Sequence, residues 1–418
     1  MDIKKKRTTR RQQQKDDEDF KRNNGRNWSR IPENILAIIS DKLSLCDYLS
    51  FSNVCISWRS FILEEILHDE DINNVNASIS LRRRCGFPWL VMSHDTSGTE
   101  SRSCFSVLQN KSWQKKLPNS NRSFFWGSFQ DWLVMVTPFP ENKFRLNIFL
   151  LNPFSGIQVL LPETSDFYNK LLFSGDPSKQ TCIYLLLSFC NEFALWVPGE
   201  RHWCTCYFEE EDDNLTDAIL FDGCFYFLTR DFNIRVIDVA CSFSIIEREG
   251  HDTRDDTRFY DVEMPLDIPR MNTESVLVLR YLMEFCGEII LILRFSRNHE
   301  ETHDFKIFRL DLDQLEWVKL DSLGDRVLFL GGHCSRSYSE KELGVGMANC
   351  IYFTNEFLPM FCITDWHPEL SCSDSDDFGI FRLNFDSSES FSYHAKTNKM
   401  APVWLNAPLW WYFQKPRF

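Results

Sequence analysis

The chain has no apolar run long enough to span a bilayer, no Cys-x-x-Cys pair and no excess of positive charge. The first absence excludes a helical membrane span, which needs about 20 consecutive apolar residues. The Met1-Asp2-Ile3 start runs on into Lys and Arg with no apolar core behind it, so it does not read as a secretory signal. The expectation is an intracellular protein of the cytoplasm, the nucleus or both, without a membrane partner. A net charge of −14 argues against general nucleic-acid binding, which needs an extended basic surface to neutralise phosphates. The 15 cysteines are odd in number and scattered, as suits reduced thiols in a reducing compartment. Cys204-Thr205-Cys206 is the tightest pair, and a strand would point both thiols to one face. A metal or redox role for that pair competes with the simpler role of two buried reduced thiols.

Chemical motifs are scarce as well. His299-Glu300-Glu301-Thr302-His303 spells His-Glu-x-x-His, which on a helix would gather two imidazoles around zinc with Glu as base. Its flanks read as strands, and Ser296 to Asp304 has no apolar helical face, so a hairpin loop is expected there. Gly344-Val345-Gly346 has no Lys-Ser/Thr after it and reads as a strand-edge turn. The acidic runs Glu209-Glu210-Glu211-Asp212-Asp213 and Asp374-Ser375-Asp376-Asp377 lack the ordered spacing of a calcium loop. They read as solvated loops or as sites for a basic partner. No nucleophile elbow is visible. No catalytic residue, metal or cofactor is assigned.

What the chain does have is apolar mass. Hydrophobic residues make up 43% of 418, ample for a large core, and length alone suggests two to three domains. Residues 1–27 read as a disordered polar tail. Its Lys4-Lys5-Lys6-Arg7 and Arg10-Arg11 cluster is either a nuclear-localisation signal or a solvated arm. Residues 28–68 read as a small helical module, 69–85 as a linker, and 86–410 as a β-rich domain.

In the helical module, Pro32 suits the first turn of a helix. Ile35, Leu36, Ile38, Ile39 and Leu43 follow at helical spacing. Ser44 to Asp47 is a weak capping box that opens a second helix through Tyr48, Leu49, Phe51 and Val54. Trp58, Phe61 and Ile62 give a third apolar stripe. Roughly 40 residues cannot bury much of their own apolar surface, so these helices need a partner or the rest of the chain. The order Ile31-Pro32-Glu33, Ile35-Leu36, Leu43, Leu45, Val54-Cys55 and Trp58-Arg59 closely resembles an F-box, with Ile31 in place of the commoner Leu.

From about residue 86 the texture changes to short apolar runs between turns, rich in aromatics, with 37 Phe and 13 Trp in the chain. A recurring unit places an aromatic or aliphatic anchor after an Asn- or Asp-led turn. The anchors are Trp113, Ile157, Trp203, Phe243, Trp317 and Phe391. The first spacings, 44, 46 and 40, suit a four-stranded propeller blade of roughly 40–50 residues. The last two, both 74, imply polar insertions at Glu247 to Arg270 and Thr364 to Asp377. The expected fold class is therefore mainly β: a three-helix F-box followed by a β-propeller of about six blades, one of them built from both chain ends. Most tryptophans are expected in blade cores. Phe221 to Tyr226, Tyr281 to Ile290 and Gly346 to Phe353 resemble signatures of plant F-box proteins with a kelch-related, KIB-like domain.

Those resemblances imply a function that composition does not. They imply a substrate-recognition subunit of a Skp–cullin–F-box ubiquitin ligase. The F-box would dock a Skp-type adaptor, and through it a cullin, while the propeller holds an unidentified target protein. The adaptor contact, or its support, falls by motif on Ile31, Pro32, Ile35, Leu36, Leu43, Leu45, Val54 and Trp58. The chain would need no catalytic residue, since tethering raises the effective concentration of acceptor lysines. The alternatives are an F-box scaffold or sequestering protein outside a ligase and, more remotely, a carbohydrate-binding propeller.

Overall fold

The computed structural model describes residues 31–40, 43, 51, 54–69, 88–91, 101–107, 111–117, 120, 123–129, 132–138, 146–153, 155–164, 168–188, 191–208, 214–249, 253–263, 276–297, 301–331, 335–343, 347–354, 379–383, 387–390 and 403–405. The chain divides into two compact units, one of residues 1–86 with 408–418, the other of residues 87–407. Several sequence expectations lie outside the described residues: the 1–27 tail, the linker apart from Asp69, Leu45, His299 and Glu300, the Gly344 to Gly346 turn, both acidic runs, the Thr364 to Asp377 insertion and the Phe391 anchor.

In the first unit, helix α1 (Glu33–Ser40) packs against α2 (Ile56–Asp69). The carbonyl of Pro32 accepts the N–H groups of Ile35 (3.0 Å) and Leu36 (3.1 Å), which fixes the helix start where the sequence expects it. Glu33 in the first turn complements the helix dipole. Phe51 is helical and Val54 lies in a bend beyond it, so the second helix stops short of the expected Val54. The third apolar stripe extends into a 14-residue helix.

In the second unit, the described strands form six sheets, the blades of a six-bladed propeller. Blade 1 holds β1 (Trp89–Val91), β2 (Ser101–Ser106) and β3 (Lys111–Lys116). Blade 2 is β4 (Phe124–Phe129), β5 (Trp132–Pro138), β6 (Leu146–Leu151) and β7 (Gln158–Leu160). Blade 3 is β8 (Tyr168–Phe173), β9 (Tyr184–Ser188), β10 (Glu192–Trp196) and β11 (Cys204–Tyr207). Blade 4 is β12 (Leu215–Phe221), β13 (Cys224–Thr229), β14 (Ile234–Asp238) and β15 (Thr257–Tyr260). Blade 5 is β16 (Val276–Phe285), β17 (Glu288–Arg297), β18 (Glu301–Asp311) and β19 (Glu316–Leu320). Blade 6 holds β20 (Arg326–Leu330), β21 (Arg336–Ser339), β22 (Cys350–Phe353), β23 (Gly379–Arg382) and β24 (Ser387–Ser390). The last strand, β25 (Val403–Leu405), returns to blade 1 and pairs antiparallel with β1, Trp89 opposite Leu405. One blade is thus made from both ends of the domain, as the repeat count suggests.

The ring is tied at that junction. Trp404 Nε1 donates to the carbonyl of Leu330 in blade 6 (2.9 Å), and its ring meets Phe329 edge-on at 5.1 Å. On the other side, Ser128 Oγ of blade 2 donates to the carbonyl of Trp404 (2.8 Å). Two hairpin turns show how the sequence allows tight blades. Asp222-Gly223 (φ 44° and 73°) and Cys286-Gly287 (φ 55° and 83°) both take left-handed conformations, as a two-residue turn matched to strand twist requires. Hydrophobic cores fill the spaces between blades: Leu228, Ile234, Leu291 and Phe308 between blades 4 and 5, and Phe193, Phe225 and Phe227 between blades 3 and 4.

One anchor needs correction. Trp113, Trp203 and Trp317 stand at or just before outer strands, and Ile157 precedes β7, as expected. Phe243 does not. It lies in helix α3 (Cys241–Glu247), inserted between β14 and β15. The outer strand of blade 4 is β15, and it comes from the stretch read as a polar insertion. The blade spacing of 40 therefore measured a helix that packs Ile245 into the blade core, where an aliphatic residue serves equally well. In blade 6 an additional strand, β20, sits between β21 and β22 and runs parallel to β22. A further short helix, α4 (Glu340–Leu343), follows β21.

Candidate functional site: the helical surface and the propeller interior

The helical unit sorts its apolar residues into two sets. Leu36 (1% exposed), Phe51, Trp58 (8%) and Ile62 are interior, with the Phe51 and Trp58 rings 4.2 Å apart. Ile35 (42%), Ile38 (55%), Val54 (54%) and Ile56 (84%) face water. Ile35 and Ile38 are one turn apart on α1 and share a face. Of the residues expected at an adaptor contact, Ile35, Val54 and Pro32 are exposed, Ile31 and Leu43 half-buried, and Leu36 and Trp58 buried. The last two support the surface from within. Ile38 and Ile56 join the exposed set without having been selected from the motif. Ile38 was signalled by its spacing from Ile35. Ile56 had no signal, because it opens α2 at a position where periodicity had not yet begun.

The propeller hides a polar framework that the sequence did not announce. Lys170 on β8 and Asp217 on β12 form a buried ion pair at 2.6 Å. The same carboxylate accepts the N–H of Ala218 (2.8 Å) and, through Oδ2, the N–H of Leu282 on β16 (2.7 Å). One side chain thereby joins the innermost strands of blades 3, 4 and 5. Each of these strands, and β4 as well, carries a register shift: Phe125/Gly127, Tyr168/Lys170, Leu215/Asp217 and Leu277/Leu279. A bulge of this kind re-aims the residues after it, which is how Lys170 and Asp217 come to meet.

Buried arginines make similar ties. Arg294 donates to Thr302 Oγ1 (2.7 Å), Tyr281 Oη (3.2 Å) and the carbonyl of Thr354 in blade 6 (2.8 Å), beneath the Phe353 ring. Arg102 donates to the carbonyls of Ser120 (2.6 Å) and Ser123 (3.2 Å). Arg235 reaches Asp261 at 3.2 Å and stacks on Phe259. Tryptophan indoles also cross between blades: Trp203 to the Pro162 carbonyl and Trp317 to the Phe232 carbonyl, both 2.9 Å.

The cysteine pair lies on β11, with Cys206 buried and Cys204 half-buried on the same core face. A hydrogen bond from the Cys206 thiol lowers the Cys204 pKa, and the same bond with burial raises that of Cys206. Both are free thiols. Among the described residues no group of three or more His, Cys, Asp or Glu could hold a metal ion. Glu301 to Asp304, read as part of a loop, already belong to β18, Thr302 pairing with Ser296. Strand geometry at His303 does not offer the helical spacing that a zinc motif needs. Among the described residues no helix is long and apolar enough to cross a membrane.

Two family models match the chain: the KIB1-4 beta-propeller over residues 104–382 and the F-box domain over residues 28–69. An F-box/kelch-repeat protein of Arabidopsis thaliana is 21% identical over 336 residues, covering 78% of this chain and 82% of that protein. An F-box protein of the same plant is 22% identical over 389 residues, covering 91% and 88%. Another is 23% identical over 350 residues, covering 79% and 89%. The chain belongs to the KIB1-4 beta-propeller family and carries an F-box domain ahead of its propeller.

Proposed function

We propose that the chain is the substrate-recognition subunit of a Skp–cullin–F-box ubiquitin ligase. The observation that carries this reading is the F-box match over residues 28–69, whose described residues leave Ile35, Ile38, Val54 and Ile56 in water. Aliphatic side chains at 42–84% exposure, set on a core closed by Leu36, Trp58 and Ile62, are what a protein-docking surface offers. A Skp-type adaptor covers this surface and links the chain to a cullin. The propeller holds a target protein, and the conjugating enzyme brought by the assembly supplies ubiquitin. The contribution of this chain is proximity rather than bond making. Its working compartment is the cytoplasm, the nucleus or both.

The test is reconstitution. Full-length chain mixed with a purified Skp-type adaptor and cullin is expected to elute from a sizing column as one stoichiometric complex. Folded chain that elutes apart from the adaptor would overturn the proposal.

A further inference from the structure

Arg280 stands out among the buried and partly buried arginines of the propeller and the exposed ones beside them. Arg102, Arg235 and Arg294 each reach carbonyl, hydroxyl or carboxylate oxygens, Arg309 reaches Glu288, and Arg258 and Arg382 reach the thiols of Cys224 and Cys350. Arg280, on the innermost strand of blade 5, has a buried Nε with no hydrogen-bond partner, and its guanidinium meets no acceptor among the described residues. It stacks instead on the Phe232 ring, 5.1 Å from the ring centre. Its neighbour across the blade boundary is a second cation, the exposed Arg230, likewise without an ion pair among the described residues. Burial lowers the pKa of Arg280, and Arg230 lowers it further, while Asp231 opposes this without coming within ion-pair distance.

The turn that carries Arg230 and Asp231 is itself strained. Phe232 is buried and adopts φ 69°, a left-handed conformation that a bulky side chain rarely takes. It is held there by its N–H to the Thr229 carbonyl (3.2 Å) and by the Trp317 indole on its own carbonyl (2.9 Å). Strain of this sort persists where surrounding structure enforces it, and it clusters at binding sites. Here it fixes an aromatic shelf under one half-buried guanidinium and sets a second beside it. Two like charges brought together in a chain of net charge −14 oppose folding locally and favour an incoming negative group.

We infer that Arg280 and Arg230, on the Phe232 shelf between blades 4 and 5, form a docking point for an anionic group, a carboxylate or a phosphate, on the bound target. The inference rests on the proposed function only in assigning that group to a target protein. A planar guanidinium with free donors binds either anion through paired hydrogen bonds. Asp231, next in sequence to Arg230, opposes the two cations and limits affinity.

The experiment uses full-length chain and three degenerate peptide libraries, centred on phosphoserine, glutamate and glutamine, with binding read by fluorescence anisotropy. The anionic libraries are expected to bind and the glutamine library to fail. The ratio of phosphoserine to glutamate affinity identifies the source of the charge. Arg280→Gln is expected to lose at least tenfold in affinity, and Asp231→Asn to gain severalfold. Arg309→Gln, at the arginine already paired with Glu288, is expected to change nothing. The melting temperature of Arg280→Gln is expected to stay level or rise, since a half-buried charge without a counter-ion is removed. Equal binding of all three libraries, no binding at all, unchanged affinity in Arg280→Gln, or a melting temperature several degrees lower in that variant would each overturn the inference. Adaptor binding is measured on the same preparation, so failure at the arginines with adaptor binding intact leaves the ligase proposal standing.

Discussion

The two units of this chain treat their difficult residues in opposite ways. The propeller takes Asp217 and Arg294 inside and satisfies both: Asp217 accepts three donors from strands of three blades, and Arg294 donates to three acceptors. The helical unit leaves aliphatic groups outside, with Ile56 84% exposed. A buried ion pair with one partner removed is strongly destabilising, whereas an exposed isoleucine costs its own fold little. The difference separates residues that hold structure from residues left exposed, which the proposed function assigns to a partner. Substitution should therefore unfold one set and disconnect the other.

The largest effect is expected at the ring closure. Trp404→Ala removes a buried indole from the strand that joins blade 6 to blade 1 and leaves the Leu330 carbonyl without its donor. A loss of about 5 kcal/mol is expected from urea denaturation of the propeller, with adaptor binding retained. Asp217→Ala comes next, at about 4 kcal/mol, because Lys170 and two backbone N–H groups lose their acceptor together. Replacing both members, Lys170→Met with Asp217→Leu, should recover part of that loss, and equal destabilisation by single and double variants would mean the carboxylate serves only the backbone. Trp317→Phe tests a single inter-blade hydrogen bond and should cost about 1–2 kcal/mol in the same assay. The smallest effect is chemical. Cys204 should alkylate with iodoacetamide faster than Cys206, read by peptide mass mapping, because the hydrogen bond between them favours the Cys204 thiolate.

Much of the architecture was legible because it repeats. Tryptophan and isoleucine anchors 44 and 46 residues apart mark blades 1 to 3, and the six-bladed ring closed by both ends followed from extending that period. The period failed where another element met the same packing demand. In blade 4 a helix supplies Ile245 to the core, so Phe243 resembles a blade anchor without being one. The wedged strand β20 was illegible because its Val327 to Leu330 run reads like any buried strand. The Lys170–Asp217 pair was hidden for a different reason. Strand alternation assigns each residue a face, and the bulges before Lys170 and Asp217 reverse that assignment.

The helical surface was legible as a motif and illegible as a surface. Ile35, Leu36, Ile38 and Ile39 are all aliphatic, so hydrophobic pattern alone does not say which side of α1 faces in. Burial separates them, placing Leu36 in the core and Ile35 with Ile38 in water. That separation selects the probe. A charge at Leu36 strikes the packing of the unit, whereas charges at Ile35 and Ile38 fall on the exposed face proposed for the adaptor.

The most direct measurement is a calorimetric titration of a purified Skp-type adaptor into full-length chain and into the Ile35→Asp, Ile38→Asp double variant, with far-UV circular dichroism of both. The account predicts binding to the first, at least a hundredfold weaker binding to the second, and superimposable spectra. Equal adaptor affinity in the two folded proteins would contradict it.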